Sequence, residues 1–322
     1  MIRLGTRAST LALTQSQTVA DAITALSGEA VEIVKIVTHG DISTAPLESL
    51  GGVGVFASAL REALKNGECD LVVHSLKDLP TAAEPGLVIA AIPERADARD
   101  VLCARDDLTL AQLPEGAVVG TGSPRRRAQL RHRRPDLDIR GMRGNIDTRL
   151  QHVAEGRFDA IVLAAAGLSR VGRLDAVTEY FELDAWPTAP GQGALAVEVR
   201  DDRDQLSSPS AAALTKALAA LDHLDTRVAV EAERHLLARL EAGCTAPVAA
   251  HAFIDAGLLF LTGEAYSPAT GETLTVSHAL ELTGTPEQLR LAATEIAERA
   301  AIELLENGAA ELAGLAGQGS SS

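Results

Sequence analysis

The sequence predicts an α/β protein of two doubly wound halves, followed by a small α+β domain with a three-stranded antiparallel sheet. Three observations carry that expectation. Apolar strand runs end in short turns and pass into helix-period runs at residues 2–26 and again at 118–134. The succession Gly5-Thr6, residues 31–41 and Gly67-Glu68-Cys69-Asp70 is echoed by Gly120-Thr121, residues 137–145 and Gly156-Arg157-Phe158-Asp159, as if one half repeats the other. Beyond residue 246 the period changes to strand runs separated by Asp255-Ala256-Gly257 and by Ser267-Pro268-Ala269-Thr270-Gly271, both hairpin turns.

Taken in order, Ile2-Arg3-Leu4 is a short strand, Gly5 to Ser9 a turn, and residues 10–26 repeat apolar side chains at helical spacing. A strand over 31–37 ends in Thr38-His39-Gly40-Asp41, and a glycine-rich segment at 51–56 precedes a helix over 57–66. Leu71-Val72-Val73 is a buried strand ending in His74-Ser75-Leu76-Lys77-Asp78. Val118-Val119 ends another, Gly120 to Ser123 is a tight turn, and Pro124 is the first helical residue, which makes Ser123 the N-cap. Pro93 to Arg99 and Pro187 to Gly193 read as crossings between the halves, and Ala194 to Val199 as a strand returning to the first. Helices follow over 210–220 and 222–241, the second capped by Asp222, then strands near 247–254, 258–266 and 272–280. A helix from Pro286 to Glu306 stops at Asn307-Gly308. The expected domains are residues 1–94 with 194–218, residues 99–188, and residues 222–314. Strand–helix alternation favours parallel sheets whose ligands bind beyond the carboxyl ends of the strands, so the turns of two facing halves would line a cleft.

With 322 residues and 46% hydrophobic content the chain can build several cores. It contains no apolar run of about 18 residues and no signal-peptide core, so it is expected to be cytoplasmic, with no membrane partner. A net charge of -15 and only 2% aromatic residues argue against nucleic-acid binding. Three cysteines, Cys69, Cys103 and Cys244, are odd in number and far apart, which excludes a disulfide framework and a close-spaced metal pair; no metal is expected.

Against this acidic background, residues 118–150 carry nine arginines and three aspartates. Arg127, Arg131, Arg133 and Arg134 read as a solvated helix face. Arg125, Arg126, Arg143 and Arg149 sit at or just after turns, where guanidinium forks, the hydroxyls of Thr121 and Ser123 and free helix N–H groups would converge on a bound anion. Asp78, at the end of a buried strand, is the negative group available to steady a cationic intermediate. At about 4 Å and an effective dielectric near 20 such a pairing is worth about 4 kcal/mol. Cys103 reads as core, Cys69 has nothing to recommend it, and Cys244 sits in a loop after a helix, where a thiol is accessible.

Eight motifs then stand in register: GTRAS at 5–9, GGVGVF at 51–56, DLVVHSLKDLP at 70–80, GTGSPRR at 120–126, RGNIDTRL at 143–150, VLAAAGLSR at 162–170, PGQGAL at 190–195 and LEAGCTAP at 240–247. Together they resemble the porphobilinogen deaminase, or hydroxymethylbilane synthase, family over nearly the whole chain. The resemblance implies two domains of periplasmic-binding-protein type and a third that carries a dipyrromethane cofactor on a thioether at Cys244. It implies an enzyme of tetrapyrrole biosynthesis that joins four porphobilinogen units head to tail with loss of ammonia. Asp78 is implied as the catalytic carboxylate, hydrogen-bonding pyrrole N–H groups, stabilising positive charge and helping to remove the α-proton. Ser75, Lys77, Asp78, Thr121, Ser123, Arg125, Arg126 and Arg149 are implied in holding the cofactor. Arg7, Ser9, Phe56, Arg143, Arg149, Arg170 and Gln192 are implied at the substrate. A monomer is expected, with its product passing to uroporphyrinogen-III synthase. The chain departs from the family pattern at Ser49 and Val53, where many members carry lysine, and at His39, where they carry arginine. The reading from another class is a non-catalytic anion sensor of the same two-lobed fold.

Mass separates the two. The enzyme should exceed its sequence mass by two pyrrole units, Cys244→Ser should lose that excess, and Cys69→Ser and Cys103→Ser should keep it. Intact-mass spectrometry reads all four proteins, and retention of the excess in Cys244→Ser would remove the attachment site.

Overall fold

In the computed structural model, which describes residues 1–36, 54–201, 209–242 and 246–315, side-chain alternation along the central strands explains the architecture. The strands are β1 (Ile2–Thr6), β2 (Val31–Lys35), β3 (Leu71–Ser75), β4 (Leu87–Ala91), β5 (Asp100–Ala104), β6 (Val118–Gly120), β7 (Asp138–Arg140), β8 (Ala160–Ala164), β9 (Glu179–Tyr180), β10 (Leu195–Arg200), β11 (Val248–Asp255), β12 (Leu258–Tyr266) and β13 (Thr273–Glu281). Leu71 and Val73 of β3 join a core with Val19 and Ile23 of the helix Thr10–Ser27 and Leu214 and Leu218 of the helix Pro209–Leu221. Val72, pointing the other way, packs with Leu60 and Leu64 of the helix Gly54–Lys65. A strand that is apolar on both faces needs helices on both, and that is the doubly wound arrangement.

The second sheet repeats the pattern. Leu102, Val119 and Val162 pack with Leu130 of the helix Pro124–Arg133 on one face. Val101, Cys103, Ile161 and Leu163 pack with Leu150 and Val153 of the helix Ile146–Ala154 on the other. The strand orders correspond: β2-β1-β3-β10-β4 in one sheet and β7-β6-β8-β5-β9 in the other. Gly5 and Gly120 take equivalent places and are needed for the same reason. A Cβ on Gly5 would lie 2.7 Å from the Cys69 sulfur, and one on Gly120 would lie 2.9 Å from both Met142 and Phe158.

Neither sheet is all parallel, as the alternation had suggested. β1 runs parallel to β2 and β3, but β10 is antiparallel to β3 and β4. β6 runs parallel to β7 and β8, but β5 is antiparallel to β8 and β9. The cause is where the chain enters. Leu195 starts β10 opposite Ser75, the last residue of β3, so it can only run backward along it. The chain divides into two compact units, residues 1–96 with 194–227 and residues 97–193 with 228–322.

The three-stranded sheet is the expected antiparallel meander, covered by the helix Pro286–Glu306, whose N-cap Thr285 and Gln288 form a capping box. A short helix, Ala309–Leu312, follows where the sequence suggested an end. The preceding helix begins at Leu224, two residues later than predicted. Asp222 does not cap it. Its carboxylate accepts from the Ile92 N–H at 2.7 Å and from Arg227, while His223 Nδ1 accepts the Thr226 N–H at 3.2 Å.

Helix Pro124–Arg133 meets the three-stranded sheet within the second unit, where Ala128 packs on Ala249 and Tyr266. Beside that contact Glu264 is buried, accepting from the Tyr266 hydroxyl and from Thr275 Oγ1 at 3.1 Å. Burial pushes its carboxyl from the ordinary 4.5 up to about 7, outweighing the Thr275 hydrogen bond and the positive charges of Arg133 and Arg125. The folded chain therefore keeps a proton here that the unfolded chain loses, so this residue's contribution to stability falls as pH rises from about 4.5 to about 7 and is constant above. Relative to wild type, Glu264→Gln should gain stability by up to ~3 kcal/mol between about pH 5 and about pH 8, a difference that denaturant midpoints at the two values will measure.

Candidate functional site

In the first unit, buried Leu76 and Leu79 anchor a single 3-10 turn, Leu76–Asp78, directly after β3. The turn leaves Asp78 exposed and Lys77 half-buried. Ser75 Oγ accepts from Gln15 Nε2 at 3.0 Å. Ser9 caps the first helix, accepting the Ala12 N–H at 3.3 Å, so its hydroxyl hydrogen alone remains to donate. Arg7, Gln15, His74, Ser75 and Asp78 line one small concavity with apolar walls from Leu60 and Val73. The structure thus brings Arg7, Ser75 and Asp78 to one concavity and adds His74, which the sequence reading did not single out.

In the second unit the turn after β6 folds as predicted. Ser123 Oγ accepts the Arg126 N–H at 3.4 Å, and Thr121 Oγ1 accepts the Ser123 N–H at 3.2 Å. Among the described residues the forks of Arg125 and Arg126 meet the carboxylate of Asp100, the first residue of β5. Arg125 Nη1 donates to Asp100 Oδ2 at 2.8 Å and Arg126 Nη2 to Asp100 Oδ1 at 2.6 Å, with both arginines buried. Gln192 Nε2 at 2.8 Å and the Trp186 indole N–H at 3.0 Å complete the set around a carboxylate that is 0% exposed. Burial alone would raise this carboxyl, but Arg125 and then Arg126 hold it well below the usual carboxylate range. Gln192, expected beside substrate, is itself fully buried in this knot.

Arg149 and Arg170 behave differently. Arg149 Nε donates to the Gly144 carbonyl at 2.8 Å, and Arg170 Nη2 to the Gly193 carbonyl at 2.7 Å. Both are half-buried, and neither has a carboxylate partner among the described residues. Burial lowers the pKa of both, and for Arg149 the neighbouring charge of Arg126 adds to it. Arg143 is exposed at the turn, with Gly144 at a φ of 105° behind it.

Cys69 and Cys103 are buried, and burial pushes their thiols up to about 11 and about 12. Neither is a plausible nucleophile. Cys244, Ser49, Val53 and His39 lie outside the described residues, as does the side chain of Phe56. Two residues that organise the site carried no signal of their own. Asp100 sits in a charged run and meets its arginines only in the fold. Glu233, fully buried, accepts the Gly191 N–H at 2.6 Å and the Ala252 N–H at 2.8 Å, tying the loop that carries Gln192 to β11.

Comparison with known proteins gives this geometry its context. A family model described as porphobilinogen deaminase, dipyromethane cofactor binding domain, matches residues 2–208, and one for the C-terminal domain matches residues 228–285. Porphobilinogen deaminase of Leifsonia xyli is 58% identical over 98% of this chain and 95% of that protein. The same-named protein of Thermobifida fusca is 51% identical over 96% of this chain and 95% of that one. Among solved structures, immunogenic lipoprotein A from Vibrio vulnificus aligns with a TM-score of 0.41 and 11% identity, over 68% of this chain and 94% of that one. Fold, site and matches define a transferase of tetrapyrrole biosynthesis with a dipyrromethane-binding domain. The chain belongs to the porphobilinogen deaminase family, whose substrate is porphobilinogen.

The Asp100 knot makes a sharp prediction. Asp100→Asn keeps the shape but leaves two buried guanidinium groups without a counter-charge, and should cost about 3 to 5 kcal/mol. Urea unfolding followed by circular dichroism will measure it.

Proposed function

We propose that the chain condenses four porphobilinogen molecules head to tail, releasing ammonia at each step, to give hydroxymethylbilane. The observation that carries the reading is the pair Arg149 and Arg170, guanidinium groups held in partly desolvated places with only carbonyl partners among the described residues. A cation taken from water without a counter-ion is costly, and a carboxylate-bearing ligand offsets that cost. This donor set fits dipyrromethane and porphobilinogen, whose rings carry acetate and propionate groups. Attached by a thioether to Cys244, in the domain formed by residues 222–314, the cofactor would supply the free pyrrole position from which the product grows.

The roles of the residues follow from their surroundings. Thr121, Ser123, Arg126 and Arg149, and likewise Ser75 and Lys77, would hold the cofactor's carboxylates. Thr121 and Ser123 have spent an acceptor in the turn and keep a hydroxyl hydrogen to donate. Arg126 Nε is buried and has no hydrogen-bond partner among the described residues, so that donor is not spent on the protein. Arg125 also keeps an unpartnered Nε, but its Nη1 is committed to Asp100, Gln129 and the Pro187 carbonyl. It would act mainly as the charge that backs the site. Arg7, Ser9, Phe56, Arg143, Arg149 and Arg170 would bind the incoming and growing pyrroles, with Gln192 fixing the loop that meets Arg170.

Asp78 would accept hydrogen bonds from pyrrole N–H groups. Loss of ammonia leaves an electron-poor substrate ring, and a carboxylate on a rigid turn stabilises the developing positive charge at no cost of reorganisation. The chain is taken to act as a cytoplasmic monomer whose product passes to uroporphyrinogen-III synthase. No helix among the described residues is long and apolar enough to cross a membrane.

Ammonia released from porphobilinogen, in step with linear tetrapyrrole formed, tests the function. Asp78→Asn tests the role. It should lower turnover by about a hundredfold or more, equivalent to about 3 kcal/mol of transition-state stabilisation, with much less change in substrate affinity. Single-turnover ammonia release by the Asn variant, with its cofactor confirmed by mass, is the measurement; a near-normal rate would move the role elsewhere.

A further inference from the structure

His74 shares the concavity with Asp78 and stands four residues before it. Its Nε2 lies 3.2 Å from Glu198 Oε2 on β10, and both side chains are buried. Glu198 is already satisfied by Arg61, whose Nε lies 3.1 and 3.0 Å from its two oxygens and whose Nη2 lies 2.9 Å from Oε1. Burial would raise the Glu198 carboxyl, and the hydrogen bonds from His74 and Arg61 bring it below its ordinary value instead. An ionised carboxylate can only accept, so Nε2 carries a hydrogen toward it, and in the neutral ring the lone pair is on Nδ1. Among the described residues Nδ1 has no hydrogen-bond partner, nor is it one of the buried polar atoms left without one. The ring is part of the concavity's wall, and Nδ1 is its ring nitrogen not engaged by Glu198. Glu198 has no need of a histidine for neutralisation.

We propose that His74 is the proton acceptor of the condensation, taking through Nδ1 the α-proton of the pyrrole that has just formed its new bond, with Glu198 as the residue that positions the ring. The proposal rests on the transferase reading above. Ammonia departs with the electron pair of its carbon–nitrogen bond, and the attacking α-carbon supplies the pair for the new carbon–carbon bond. The α carbon–hydrogen bond then breaks, its pair restores the aromatic ring, and the proton passes to Nδ1. Glu198 faces the imidazolium so formed. The proton leaves through solvent to the released ammonia, so nothing is oxidised or reduced. The other charged groups around the ring are Arg61 behind Glu198, Glu84 behind Arg61, and Arg7 and Asp78 on the walls of the concavity.

The test uses holoenzyme checked by mass. His74→Gln can still donate toward Glu198 but cannot take up a proton at this pH range. It should lose about a hundredfold in kcat while KM moves by less than about threefold. The acidic limb of the pH–rate profile should change with it. Porphobilinogen deuterated at its free α-position should turn over more slowly than the protiated substrate in this variant, because proton removal has become limiting. Added imidazole should restore part of kcat to His74→Ala. A normal kcat in His74→Gln overturns the proposal, as does a fall in kcat with neither isotope effect nor imidazole rescue, which would make the ring a structural ligand of Glu198. Wild-type protein is assayed alongside: if it releases no ammonia the transferase reading itself fails, whereas an active wild type confines any failure to His74.

Discussion

A single carboxylate, that of Asp100, holds the second unit together. Four donors from two separate stretches of chain reach it: two guanidinium groups from the helix after the β6 turn, and an indole and an amide from residues 186–192. None of these could be buried alone at tolerable cost, and the acceptor they share makes their burial possible. Because the same arginines follow the turn of Thr121 and Ser123, the knot also sets where that turn lies. Arg125 continues the connection through Gln129 to the Tyr266 hydroxyl and so to Glu264 in the three-stranded sheet. The charge balance of that sheet is therefore tied to the helix that follows the β6 turn.

The two units solve the problem of an exposed functional turn by different means. At the end of β3 the backbone is fixed by buried leucines on either side of Asp78, so an exposed carboxylate stands on an apolar footing. Around β6 the footing is ionic. The arginines left without carboxylate partners, Arg149 and Arg170, lie at the margin of that ionic core, where carbonyl oxygens orient them without neutralising them. Orientation without neutralisation leaves both guanidinium charges without a carboxylate counter-ion among the described residues.

What could be read in the sequence was what local chemistry decides. The turn from Gly120 to Ser123, the helix that starts at Pro124, the hairpins at Gly257 and Gly271 and the capped helix at Pro286 each depend on a few adjacent residues, and each stands where the residues placed it. Strand direction did not follow from alternation, because β5 and β10 take theirs from the point where the chain enters the sheet. The arginines were recognised as seeking an anion, but Asp100 is 25 and 26 positions away from them, with nothing in its neighbourhood to mark it as their partner. Asp78 and Ser75 were legible through a motif, whereas His74, within the same motif, acquires meaning only from Glu198 on a strand 124 positions later.

The chain contains one tryptophan, and Trp186 is the donor whose indole N–H closes the Asp100 knot, stacked on Phe181 with ring centres 4.4 Å apart. With Arg133 over its face at 5.4 Å and no other tryptophan to dilute it, its fluorescence is an intrinsic optical probe of this core. Emission wavelength and quenching would report the packing of the second unit directly, free of any attached label.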